Sequence, residues 1–110
     1  MPKKTDLFKF LDASVAPGGT DLFLSPVIPN GKTVMLKVFG GGVPIGNNGS
    51  FVALQWGAGA DWATVRAISH NAEFNIMRAF EGDGAKRFRI VRKNEHTAAQ
   101  VIFAWVEAFF

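Results

Sequence analysis

Large apolar residues in this chain alternate with polar ones over short stretches, and glycine, proline and asparagine interrupt each stretch. The clearest case lies between Glu73 and Lys93. In EFNIMRAF, residues Phe74, Ile76 and Phe80 keep one parity; after Gly82-Asp83-Gly84, Phe88 and Ile90 keep one parity in KRFRIVRK. A period of two marks a strand with one buried face. Asp-Gly supplies the positive φ of a tight turn. The pattern predicts a β-hairpin over 73–93, and the rest of the chain is read around it.

Residues 5–13 carry Leu7, Phe8, Phe10 and Leu11 and predict a first strand, placed at a sheet edge. Ala16-Pro17-Gly18-Gly19 is a turn. A short strand follows at 21–25, then a turn at Pro29-Asn30-Gly31. Over 33–39, Val34, Leu36 and Val38 share one face, and Met35, Lys37 and Phe39 share the other. Both faces are mainly apolar, which predicts a central strand or one at an interface. The glycine-rich stretch 40–50 is a loop, 51–56 a strand, and Gly57-Ala58-Gly59-Ala60 a second connection.

Residues 61–71 read two ways. Asp61 could cap a helix with Trp62, Val65 and Ile68 on one face. The break at Asn71-Ala72-Glu73 and the clean alternation after it favour strands. The final segment, 98–110, is apolar on both parities apart from Gln100 and Glu107, and predicts a buried strand. There is also an internal echo. PNGKTVMLKVFGG followed by FVALQWG parallels GDGAKRFRIVRKN followed by VIFAWVE. The expectation is a single all-β domain over 1–110, a jelly-roll-like β-sandwich of about eight antiparallel strands, preceded by a short basic arm at 1–5.

Composition narrows the function. The chain has 110 residues, of which 48% are hydrophobic and 19% charged, so extensive disorder is excluded. It has no cysteine, hence no disulfide and no thiolate metal site. MPKKTDLFKF lacks the apolar run of a signal peptide, and no run is long enough for a membrane-spanning helix. A net charge of +3 is mild for a dedicated nucleic-acid binder.

Chemistry-bearing constellations are sparse. His70 and His96 lack further ligands at metal spacing, apart from Glu73 three residues after His70. No serine sits in a nucleophile elbow, and the glycine loops lack the Gly-Lys-Ser/Thr ending of a P-loop. Asn48-Gly49-Ser50 is a sequon without a secretion signal. Neither an enzyme nor a cofactor is expected. Arg87 and Arg89 share a parity opposite to Phe88 and Ile90 and should project from the outer face; with Arg92 they make a candidate partner surface. Trp56 and Trp62 flank the GAGAD loop and are candidates for stacking on sugar. Val101, Phe103, Trp105, Phe109 and Phe110 form an apolar run that wants cover and are candidates for a self-assembly interface.

The segments PNGKTVMLKVFGGG, FVALQWG and FEGDGAKRFRIVRKNEHTAAQVIFAWVEAF together resemble small β-sandwich structural proteins of tailed bacteriophages and prophages. The shared features are the turn at Gly82 to Gly84, the alternating strand Lys86 to Arg92, the polar loop Asn94 to Thr97, and Ala104-Trp105. The resemblance implies a virion component: a head decoration, a fibre base or a tail accessory. It implies no catalytic residue. The expected partners are further copies of the chain, as a trimer or hexamer, and other virion proteins. The expected location is the virion, with assembly in the host cytoplasm. The alternative reading is a carbohydrate-binding module that recognises host polysaccharide. A third, DNA binding through Arg87, Arg89 and Arg92, would show as steep salt dependence.

Overall fold

The computed structural model describes residues 7–45 and 49–109. The expected arm at 1–5, Asn48 of the sequon and Phe110 lie outside the described residues.

Among the described residues eight strands build the fold: β1 (Leu7–Leu11), β2 (Thr20–Leu24), β3 (Thr33–Gly41), β4 (Phe51–Ala58), β5 (Asp61–Ile68), β6 (Phe74–Glu81), β7 (Arg87–Lys93) and β8 (Phe103–Phe109). They form two four-stranded antiparallel sheets, in the orders β1-β8-β3-β6 and β2-β7-β4-β5. This is the strand order of a jelly roll, two Greek keys wound into a sandwich. The ambiguous stretch 61–71 is a strand over its first eight residues, paired with β4 across the turn at Gly59-Ala60. β1 is an edge strand and β3 a central one, as their patterns imply.

The inner faces of the two sheets meet in one core. Val34, Leu36 and Val38 of β3 face Val52 and Leu54 of β4, Phe88 and Ile90 of β7, and Ala104, Val106 and Ala108 of β8. Ile28, Val43 and Ile102, from the connections, join it. Burying each large aliphatic or aromatic side chain stabilises the fold by roughly 1.5–3 kcal/mol. The echo in the sequence marks the four central strands: β3 and β4 in its first half, β7 and β8 in its second. Each of these strands buries a face against the opposite sheet and has a neighbour on both sides.

The hairpin expected over 73–93 does not form. β6 pairs with β3, whereas β7 lies in the other sheet between β2 and β4. The alternation itself holds, and Phe74, Phe88 and Ile90 all face the core. The turn, however, carries the chain across the sandwich. Its backbone groups bond to the connection between β2 and β3 instead of closing a ladder of their own. Gly82 N–H donates to Lys32 O (2.7 Å), Gly84 N–H to Ile28 O (3.2 Å), and Ile28 N–H to Lys86 O (3.0 Å). Gly82 has no room for a side chain; a Cβ there would collide with the Pro29 carbonyl oxygen.

Candidate functional site

Strand alternation gives each sheet an outer face, and the two outer faces differ in chemistry. That of β1-β8-β3-β6 is aromatic. β1 contributes Phe8 and Phe10, β8 contributes Phe103, Trp105, Glu107 and Phe109, β3 contributes Met35, Lys37 and Phe39, and β6 contributes Asn75 and Met77. The register sets Trp105 between Phe10 and Phe39, and Glu107 between Phe8 and Lys37. The rings touch: Phe8 meets Trp105 edge-on at 4.7 Å, Phe10 lies 5.4 Å from Trp105, and Phe39 stacks on Phe103 at 5.7 Å.

These side chains are outward because their neighbours in sequence fill the core. The apolar character of both parities in β8 thus has two causes, a buried inner face and an apolar outer one. Large residues stay exposed: Met77 at 69%, Phe8 at 51% and Phe10 at 47%. Lys37, Phe39, Asn75, Trp105 and Glu107 line a shallow depression of about 310 Å³ in the middle of the face. Trp105 Nε1–H donates to Glu107 Oε1 at 3.0 Å. Lys37 stands opposite Glu107 across the ladder but forms no ion pair among the described residues. Phe103, Trp105 and Phe109 therefore share this face, and Val101 is exposed just before β8. Phe8, Phe10, Met35, Lys37, Phe39 and Met77 were not singled out from the sequence as members of it. Their outward parity was legible; their adjacency to β8 was not.

The outer face of β2-β7-β4-β5 is mixed. Arg87 and Arg89 project from it, as their parity predicts. Arg92 does not belong with them: it has the parity of Phe88 and Ile90, points inward and is only 3% exposed. Its guanidinium bonds Asp21 Oδ2, Ala13 O and Ile102 O, which satisfies the buried charge. Trp56 and Trp62 leave opposite faces of their sheet. Trp56 stacks inward on Phe80 at 4.9 Å, and Trp62 lies outward beneath Arg89, whose Cζ is 4.1 Å from the ring centre. Both reach a depression of about 310 Å³ with Gly57, Asp61, Ala63 and Lys86.

His70 is exposed, and His96 accepts from Ala98 N–H (3.3 Å) through Nδ1. Among the described residues no cluster of three His, Cys, Asp or Glu could hold a metal ion. Asp83 sits in the connection between β6 and β7. Its Oδ1 accepts from Lys86 N–H (2.8 Å) and Ala85 N–H (2.9 Å), which holds its carboxyl below the usual value.

No family model matches the chain, and no curated protein matches it. Among solved structures the chain is similar to the crystal structure of PirA, with 17% identity and a TM-score of 0.45 over 97% of this chain and 96% of that one. It is also similar to the Cowpea mosaic virus top component, naturally occurring empty particles, with 12% identity and a TM-score of 0.44 over 100% and 88%.

Proposed function

We propose that the chain is a non-enzymatic structural component of a virus particle that works by self-assembly and docking, through the outer face of β1-β8-β3-β6. The observation that carries the assembly part is that face itself. Soluble monomers seldom expose a continuous apolar surface beyond a few hundred Å². Here aromatic and methionine side chains predominate on the outer face of a four-stranded sheet, around Lys37, Asn75 and Glu107, and aromatic residues and Met are the types enriched at interfaces. The virion part is supported by the sequence resemblance and by the jelly roll, an architecture common to viral capsid proteins and lectins.

The charge pattern favours a second copy of this chain as the first partner. Lys37 and Glu107 sit side by side within the apolar surface. A two-fold axis running between β3 and β8 would set each lysine against the partner's carboxylate, twice. Such an isologous contact needs an even number of subunits. Of the trimer and hexamer expected, only the hexamer accommodates it.

The test is native mass by light scattering across a range of concentrations, for the natural chain and for the double variant Phe10→Asp, Met77→Asp. Both residues are well exposed, so the substitutions should leave the fold intact. The natural chain is expected to associate and the variant to remain monomeric. A natural chain that stays monomeric at every concentration would rule the reading out.

A further inference from the structure

The other sheet holds a built constellation on which the assembly reading does not depend. Arg89, Gln55 and Thr64 stand in one row across β7, β4 and β5 and are linked by hydrogen bonds. Arg89 Nε–H donates to Gln55 Oε1 at 2.6 Å, and Gln55 Nε2–H donates to Thr64 Oγ1 at 3.1 Å. The guanidinium lies on the Trp62 ring, whose Nε1–H is in turn tied to Gly59 O at 2.9 Å. The stacking and the Nε bond fix the fork, and its two terminal nitrogens have no partner among the described residues. A fixed guanidinium with free N–H groups is a preorganised receptor for a planar anion. Beside it lies the depression lined by Trp62, Asp61 and Lys86.

We infer that this end of the β2-β7-β4-β5 sheet binds an acidic glycan. Arg89 takes the carboxylate of a uronic acid, Lys86 adds a second cation, the half-exposed Trp62 offers apolar surface to the sugar C–H groups, and Asp61 accepts from hydroxyls. Two features favour a glycan over a nucleic acid. The Asp61 carboxylate at the depression is an acceptor for hydroxyl donors, which every sugar residue of a glycan presents and the phosphates of a nucleic acid do not. The outward cations Arg87 and Arg89 with Lys86 make only a short run: the next outward row along β7, Leu22, Val91 and Ala53, is apolar and separates Arg89 from Lys93. A strand of phosphates needs a continuous track.

The experiment titrates the full chain with short oligogalacturonates, following tryptophan fluorescence, with neutral galactan oligosaccharides and oligothymidylate in parallel. Saturable, salt-weakened binding of the oligogalacturonate is expected, with little response to the neutral sugar. Arg89→Gln should lose about tenfold or more in affinity, the equivalent of one charge-assisted hydrogen bond. Arg89→Lys keeps the charge and the fold but not the fork, and should lose a similar factor. Arg66→Gln, an exposed cation away from the depression, should bind as the natural chain does. Failure of the folded natural chain to bind oligogalacturonate overturns the inference. So does unchanged affinity in Arg89→Lys, equal binding of the neutral sugar, or binding of oligothymidylate at least as tight.

Discussion

Arg92 and Asp21 are joined twice, Nε at 3.0 Å and Nη2 at 2.8 Å both donating to Asp21 Oδ2. Nη1 of the same guanidinium bonds Ala13 O and Ile102 O, each at 2.8 Å. One side chain thus ties β2 and β7 to the segments after β1 and before β8. Arg92→Met should destabilise the fold by about 3 kcal/mol, because it strands the buried Ile102 carbonyl oxygen and removes the bonds to Asp21 and Ala13 together. Asp21→Asn should cost only about 1 kcal/mol, since the Asp21 side chain is 42% exposed and the guanidinium keeps its other partners. Urea denaturation of the two variants measures the difference.

Two glycines in turns should respond differently to alanine. At Gly82 the new methyl would collide with the Pro29 carbonyl and lie 2.6 Å from that of Ile28, so both crossing segments must move. Gly82→Ala should cost about 2–3 kcal/mol. At Gly59 nothing lies within 4 Å of the added carbon, and only the positive φ of 58° is unfavourable. Gly59→Ala should cost about 1 kcal/mol. Equal melting temperatures for the two would contradict the interlocked turns.

Asp83 sets a weak dependence on acid. The Lys86 and Ala85 backbone N–H groups lower its carboxyl in the folded state, so the folded chain holds that proton less tightly than the unfolded one. Its contribution is therefore complete above the unfolded value, near pH 4, and disappears as the pH falls through the lower folded value. Asp83→Ala should melt below the natural chain at pH 7, and the gap should close in strong acid. A gap that widened there would reverse the sign.

Charge reversal tests the isologous contact. Lys37→Glu alone, or Glu107→Lys alone, sets like charges against each other in the proposed pair and should weaken association. The combined variant restores opposite charges and should recover much of it. Native mass read at one fixed concentration decides, and no recovery would mean that Lys37 and Glu107 do not face each other between copies.

Strand positions were legible because a period of two survives in single segments such as VMLKVF and FRIVRK. Partner choice was not. Gly82-Asp83-Gly84 carries hairpin chemistry, yet its backbone bonds go to residues some fifty positions earlier, which no local pattern encodes. The outward direction of Arg87 and Arg89 followed from parity, and the same rule sends Arg92 inward. A buried arginine is legible only once its acceptors, Asp21, Ala13 and Ile102, are known to converge on it. The aromatic face was seen in part: β8 announced itself, but Phe10 and Phe39 became its neighbours only through the sheet order.

In the order β1-β8-β3-β6, the strand that comes last in sequence lies between two that come early. β7 does the same between β2 and β4. A chain emerging during synthesis therefore cannot complete either sheet until residues 87–109 are available. Loop-closure entropy must be met before either sheet is complete, so folding should be slow and should begin only late in translation. Until then Leu36 and Val38 in one sheet, and Val52 and Leu54 in the other, lack their covering strands. That interval, more than the finished surface, is when the chain is most exposed to misassembly.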